Sequence, residues 1–335
     1  MQSFHLRRQG DIDSLEREIH TDPTPDKGEV LVRVRASSLN YRDIMILEGR
    51  YGRVPFIPGL IPLSDAAGEV VAVGEGVTRF RSGDRVALTA LPRWLAGKIT
   101  PEVLIDQPGA NRPGVLSDMK IVQEDALVAL PESLSFEEAA TLPGAAVTAW
   151  VAVNHVRPGE TVLVQGTGGV SLFALLFARS AGARVIATTS SEEKAERLKA
   201  LGADTVVNYQ HQPEWHLAVR EATDGRGADH VIEIGGTGTL ERSIQAAAMA
   251  GHIELVGTLA GGGSLGAAAF AQNIVTIRWA SVGSRADFEA MNRAIAVHRL
   301  QPVVDRVFPF AEARQAYRHF QSRSHFGKVV IRHDD

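Results

Sequence analysis

The residues with the clearest chemical meaning lie between Thr161 and Ala203. An apolar run of strand length, Thr161-Val162-Leu163-Val164-Gln165, turns at Gly166-Thr167-Gly168-Gly169-Val170-Ser171 into a helical run from Leu172 to Ser180. Gly166 and Gly168 fill the first two glycine positions of the G-x-G-x-x-G fingerprint, and Ser171, also small, takes the third. Glycines there let the backbone approach a pyrophosphate, which the unpaired N–H groups and the positive dipole end of the following helix then hold. Gly182 closes that helix, Arg184 to Thr188 reads as a second strand, and Ser190-Ser191-Glu192-Glu193 opens a second helix that Gly202 ends. This βαβα unit reads as a dinucleotide site with Gly166, Thr167, Gly168, Gly169 and Val170 against the phosphates.

The other end of the cofactor is legible just past the second strand. Units that take NAD place an acid about 20 residues beyond the glycine turn, where it binds the ribose 2′-OH. Here that position is Thr189, followed by Ser190 and Ser191. An acid would repel a 2′-phosphate, whereas hydroxyls, a helix N-terminus and Lys194 can receive one. The expected cofactor is therefore NADPH.

The elements that must position this unit alternate after it. Asp204 to Asn208, Asp229 to Ile234 and His252 to Gly257 read as strands. Glu214 to Ala222 reads as a helix between them, and Gly235-Gly236 opens a helix to Ala250. Alternation of this kind means a parallel sheet covered on both faces. Ile274 to Val282 is a further strand suited to the sheet edge, and Gly261-Gly262-Gly263 a mobile loop. Before the unit, from Met1 to about Ile121, the pattern is β-rich, with Val30, Val32, Val34 and Ala36 alternating with Leu31, Arg33 and Arg35. One short helix interrupts it, Tyr41 to Glu48, where Asn40 is a good N-cap and Gly49 a good C′ residue. Pro92 to Gly114 reads as a long loop, and Gly144 to Val153 as a helix containing Thr148. A tail of two helices ends in the strand Gly327-Lys328-Val329-Val330-Ile331.

Composition narrows the classes. The chain has 335 residues, enough for two domains, a formal net charge of -4 without a basic block, and no cysteine. Nucleic acid is not an expected partner. No run of eighteen apolar residues occurs and Met1 to Gly10 is too polar for a signal peptide, so the expected location is cytoplasmic, off the membrane. Lack of cysteine excludes disulfides and thiolate metal sites. The eleven histidines show no paired metal spacing, His211 and His216 lying five apart beside Pro213, and they read as surface or core residues.

The ordered set Asn40-Tyr41-Arg42-Asp43, Asp65-Ala66-Ala67-Gly68-Glu69-Val70, Val73-Gly74-Glu75-Gly76-Val77, Ser82-Gly83-Asp84-Arg85-Val86, the turn at 166 to 171, Leu201-Gly202-Ala203-Asp204 and Gly327-Lys328-Val329-Val330 resembles the medium-chain dehydrogenase/reductase superfamily. The likeness spans nearly the whole chain and points to the zinc-free quinone oxidoreductase and enoyl reductase branch. It implies an α/β fold: a Rossmann doubly wound parallel sheet, residues 123–284, plus a split GroES-like β-barrel domain, residues 1–122 with 285–335, and an active cleft between the two. Zinc-dependent members hold their metal at positions that here carry Asn40, Ser64, Asp65 and Gly144, three of them poor ligands, so no metal is expected. The resemblance also implies cofactor contacts for Asn40 and Thr148 at the nicotinamide, for Tyr209 at the phosphate, and for Gly235 and the Gly257-Thr258-Leu259 segment after Val256. Phe326 and Lys328, which begin the strand that returns to the cleft, are expected at the cofactor as well.

Without a metal, the substrate must already accept hydride readily. Quinones, enones, alkenals and enoyl thioesters do, because the oxyanion or enolate that forms can be stabilised by hydrogen-bond donors. A tyrosine hydroxyl is a proton donor at neutral pH, and Tyr51 stands at the spacing from Asp43 that enoyl reductases of the superfamily show for theirs. The expected function is an NADPH-dependent reduction of a small electrophile with Tyr51 and Asn40 catalytic, in a homodimer. Alternatives are a zinc-free alcohol or carbonyl dehydrogenase and a non-catalytic NADPH-binding protein.

Overall fold

The computed structural model describes the chain except residues 53, 261–268, 271, 272, 334 and 335, so the glycine run expected to be a mobile loop lies outside the described residues. Two compact units divide it: Met1–Val147 with Val282–Asp335, and Thr148–Ser281.

The first unit is built on a seven-stranded sheet in which strands from both ends of the chain meet. Its order is Val304–Pro309, Lys328–Arg332, Glu29–Ser38, Asp65–Val73, Arg85–Leu88 and Leu127–Ala129, with Met119–Gln123 also paired to Glu29–Ser38. Alternation at Val30, Val32 and Val34 puts those three fully inside, packed with Val70, Val86 and Leu127 from the neighbouring strands. Tyr317 and Phe320 of the helix Ala313–Gln321 join the same core, each such side chain adding roughly 1.5–3 kcal/mol by leaving water. Because Leu127–Ala129 pairs antiparallel with Arg85–Leu88, the first unit runs on to Val147, beyond the 122 expected from sequence. A separate two-stranded ribbon, Gln2–Leu6 with Leu15–Ile19, lies at the chain's start.

The second unit carries a six-stranded parallel sheet in the order Thr205–Asn208, Arg184–Thr189, Thr161–Gln165, Ala228–Glu233, Ala247–Leu255 and Thr276–Trp279. This is the doubly wound arrangement expected, with Thr161–Gln165 buried along its whole length as a central parallel strand must be. Two local readings change. The helix after Gly235-Gly236 stops at Ala246, because Ala247 onward pairs as strand beside Ala228–Glu233. The helix read as Gly144 to Val153 is π-helical over Leu142–Ala146 and becomes α-helical only at Val147–Val153. Among the described residues no helix is long and apolar enough to cross a membrane.

Candidate functional site

In the first unit the sequence places a short helix, Tyr41–Leu47, at the end of the strand Glu29–Ser38, and this turn presents Asn40. The Asn40 N–H donates to Asp43 Oδ2 at 2.7 Å, as an N-cap partner would. The Asn40 side chain does something else. Its Oδ1 accepts from the Lys328 ammonium at 2.6 Å, and the same ammonium donates to the Leu39 carbonyl at 2.6 Å. An ammonium only donates, so the amide oxygen must face Lys328 and the NH₂ must face away. Among the described residues that Nδ2 is buried with no partner.

Asp65 completes the cluster. Fully buried, it accepts from Ser64 Oγ at 2.7 Å and from the Gly144 N–H at 2.7 Å. Gly144 has no space for a side chain, since a Cβ would meet Asp65 Oδ2 at 2.7 Å and Asn40 Nδ2 at 2.9 Å. The four positions that the superfamily resemblance matched to zinc ligands therefore do gather. Their chemistry does not fit zinc: Asp65 is the single anionic donor, each of its oxygens already accepts a hydrogen bond, and the Lys328 cation already sits on Asn40. Burial pulls the Lys328 ammonium below its usual range, with Asp65 and Asp43 opposing. Burial also pushes the Asp43 carboxyl up to about 6, against the pull of Arg42.

Tyr51 is positioned apart from that pair. Its hydroxyl donates to Gln107 Oε1 at 3.2 Å and accepts from Arg42 Nε at 3.4 Å, with the Arg42 guanidinium 5.1 Å from its ring centroid. The ring lines a pocket with Ile46, Val54, Phe56 and Ala110. Phe326, fully buried, is fixed by its N–H to Asp305 Oδ1 at 2.8 Å, two residues before Lys328.

In the second unit the glycine turn adopts the conformation its residues allow. Gly166 has φ +69°, its N–H bonds the Thr188 carbonyl at 3.0 Å, and the helix Gly169–Ser180 starts immediately behind Thr167 and Gly168. Nothing lies within 4 Å of the place a Gly168 Cβ would take, so the approach to the helix N-terminus is open. Ser171, at the third fingerprint position, is buried and donates to the Gln165 carbonyl at 2.7 Å, which ties helix to strand in place of glycine's close packing.

Register brings together the residues expected at the ribose end. Thr189 is paired with Asn208, and the Tyr209 N–H bonds the Thr189 carbonyl at 3.0 Å. Ser190 is exposed beside Ser191, whose hydroxyl caps the next helix by accepting from the Lys194 N–H at 3.2 Å. The Thr189 hydroxyl is buried with no partner among the described residues. Thr148 is buried in the helix Val147–Val153.

The remaining segment expected along a cofactor is stitched backbone to backbone. Leu259 N–H bonds the Ile234 carbonyl at 3.2 Å and Ala260 N–H the Gly235 carbonyl at 2.8 Å. Gly257 and Gly236 permit this approach, because their Cβ atoms would meet Ile234 O at 2.6 Å and Thr258 Cα at 2.8 Å. Beneath lies a carboxylate that sequence reasoning passed over. Glu233 Oε1 accepts from Gly235 N at 2.6 Å, Gly236 N at 2.9 Å and Thr239 Oγ1 at 2.6 Å. Its Oε2 accepts from Gln165 Nε2 at 2.9 Å and from Ser243 Oγ. The signal was available: an acid ending the apolar run Val231-Ile232, two residues before the paired glycines Gly235-Gly236. Arg42 and Gln107, which hold Tyr51, carried no such signal.

The features of the second unit fit a dinucleotide, and two of the buried polar atoms without a partner among the described residues, Asn40 Nδ2 in the first unit and Thr189 Oγ1 in the second, belong to residues expected to touch one. Comparison with known proteins agrees in outline. The sequence profile described as zinc-binding dehydrogenase matches residues 169–296, and that described as alcohol dehydrogenase GroES-like domain matches 26–132. A zinc-type alcohol dehydrogenase-like protein of Schizosaccharomyces pombe is 42% identical, with 96% of each chain covered. A quinone oxidoreductase of Pseudomonas aeruginosa is 31% identical over 96% of each. An acryloyl-coenzyme A reductase of Metallosphaera sedula is 31% identical over 92% of this chain and 94% of its own. The crystal structure of an NAD-dependent alcohol dehydrogenase superposes with a TM-score of 0.90 at 34% identity, covering 100% of both chains.

Proposed function

The chain belongs to the medium-chain dehydrogenase/reductase superfamily, and from that premise we propose that it is a zinc-independent, NADPH-dependent reductase of an activated acceptor: a quinone, enone, alkenal or enoyl-type C=C. The observation that carries this reading is the Lys328 ammonium hydrogen-bonded to Asn40 in the cluster of Ser64, Asp65 and Gly144. A cation and a donor amide occupy the positions where zinc-dependent relatives would polarise an alcohol. What remains can stabilise negative charge on oxygen by hydrogen bonds, without the stronger Lewis-acid polarisation that a metal ion gives an alcohol.

Bound NADPH supplies the hydride. The Asn40 NH₂, turned away from Lys328 because the ammonium holds the amide oxygen, and buried without a partner among the described residues, donates to a carbonyl oxygen. Tyr51 supplies a proton to the enolate after the β-carbon is reduced, directly or through water, with Arg42 and Gln107 fixing the phenol. Preference for NADPH is supported by the hydroxyls of Thr189, Ser190 and Ser191 and by Lys194 on the capped helix, with no acid at the strand end. The name of the NAD-dependent structural neighbour speaks for the other cofactor, so the choice rests on these residues. A homodimer is supported by the open edge of the sheet at Thr276–Trp279, where Trp279 and nearby Ile274 are exposed; gel filtration tests it.

The deciding experiment is a panel of quinones, enones, enoyl thioesters, ketones and primary alcohols assayed with NADPH and NADH in chelator-treated buffer. Oxidation of NADPH by quinones or enones is expected. Turnover of ketones or alcohols alone would replace the proposal with a zinc-free carbonyl dehydrogenase. Tight NADPH binding without turnover would replace it with a binding protein.

A further inference from the structure

The ribbon at the chain's start gathers two imidazoles and a carboxylate that the proposed reaction does not use. Ser3 pairs with Glu18 and His5 with Glu16 across the antiparallel strands, so Ser3, His5 and Glu18 share one face, and His20 follows on it one step past the last pair. The His20 backbone is fixed there by its N–H to the Met1 carbonyl at 2.7 Å. Sequence spacing hides this trio, because residues five, eighteen and twenty are brought together by strand pairing rather than by a local repeat.

We propose that His5 Nε2, His20 Nε2 and Glu18 Oε2 form a binding site for a divalent transition metal ion of the zinc or cobalt type. The three atoms are 3.1 Å (His5 to His20), 3.7 Å (His5 to Glu18) and 3.6 Å (His20 to Glu18) apart. A point equidistant from corners so spaced lies about 2.0 Å from each, the length of a Zn–N bond and at the short end for Zn–O. Two imidazoles and a carboxylate are the donor set that such ions take, with a fourth position left for water or the Ser3 hydroxyl.

The surrounding bonds orient these ligands as outer partners of metal sites do. His5 Nδ1 lies 2.8 Å from the Gly59 carbonyl, which can only accept, so the proton sits on Nδ1 and Nε2 carries the lone pair. That lone pair faces Ser3 Oγ at 2.8 Å and His20. Arg7 pairs with the other Glu18 oxygen and leaves Oε2 toward the imidazoles. A bound ion would pin both strands of the ribbon, and through His5 the segment at Gly59, which is already joined to the ribbon by its N–H to the Leu6 carbonyl at 2.9 Å. None of these residues is among Asn40, Tyr51, Ser64, Asp65 and Gly144, on which the proposed reaction rests.

The test is Zn²⁺ uptake by the full-length protein after chelator treatment and dialysis, measured as equivalents bound, with Co²⁺ absorption as a second probe of low-coordinate geometry. Wild type should bind one equivalent, and His20→Ala should weaken binding at least about 100-fold, beyond the roughly 10- to 100-fold cost of losing an outer partner. His20 is partly exposed and its backbone bond survives the change; should that variant fail to fold, Glu18→Gln decides the matter by the same criterion. His211→Ala, which removes the surface histidine beside Glu192, should bind as wild type. Absence of uptake by wild type, or an equivalent retained in His20→Ala, overturns the site.

Discussion

Asn40 can satisfy only half of its amide from within the first unit, and that asymmetry sets its chemistry. Lys328 takes the oxygen and leaves the NH₂ as a directed donor, so a residue that reads from sequence as a helix cap acquires a second role. Tyr51 differs, because its hydroxyl already has two partners, Arg42 and Gln107. Arg42 donates to it, leaving the phenolic proton shared with Gln107 and available for transfer. Tyr51→Phe should therefore lower turnover of enones by about 10²- to 10³-fold, the usual cost of a lost donor at a developing oxyanion. NADPH affinity should stay near wild type; a variant with most of its turnover would leave water as the proton source. At the ribose end, Lys194→Ala should reduce the ratio of NADPH to NADH affinity, since it removes a charge from the helix N-terminus that Ser191 caps. An unchanged ratio in direct binding titrations would remove Lys194 from the phosphate site.

Elements matter here through their ends, and the buried Glu233 shows how. It closes the strand Ala228–Glu233 and gathers the N–H groups of Gly235 and Gly236, the hydroxyls of Thr239 and Ser243 and the Gln165 amide. Both oxygens face donors, so Glu233→Gln must turn an NH₂ toward at least one of them. Flipping Gln165 to compensate would cost its oxygen's bond from the Ile234 N–H, 3.3 Å long. The variant should lose about 2–3 kcal/mol or more in denaturant titrations and bind NADPH more weakly, because the segment from Gly257 to Ala260 is laced to Ile234 and Gly235. Full stability would show the carboxylate to be dispensable. The same element ends mark what a linear reading could reach. The glycine turn at 166 to 169 and the alternation of strands and helices were legible, since each follows from local periodicity and turn chemistry. The stop of the helix at Ala246, the addition of Leu127–Ala129 to the first sheet, and the clamp on Tyr51 were not, because each depends on a partner distant in sequence.

On the scale of the whole chain, the first unit is closed by its last strand, and His333 is the fastener. Lys328–Arg332 pairs with Glu29–Ser38, and beyond it the buried His333 bridges Ser37, 2.8 Å from Nε2, and the Ser117 carbonyl, 3.0 Å from Nδ1. The carbonyl requires the proton on Nδ1, so Nε2 accepts from the Ser37 hydroxyl and the ring is neutral. Burial holds its pKa down to about 3, against 6.5 for an unburied histidine, with the Ser117 bond acting weakly the other way. Between those values the unfolded chain binds a proton that the folded chain refuses. Stability from this group is fully present above 6.5 and is lost as pH falls. Asp43 acts with the opposite sign, since its pKa is raised from 3.8 to about 6, and it makes the folded state less stable as pH rises through that interval. Overall pH dependence thus blends opposing slopes, and a comparison of wild type with His333→Gln isolates one of them. The glutamine removes the titrating ring. The stability advantage of wild type over the variant should be greatest at pH 7 and shrink by about 2–3 kcal/mol by about pH 4.5. A gap that stays constant across that range in urea titrations would mean that the imidazole is reached by protons in the folded state, and that the last strand is not fastened as described.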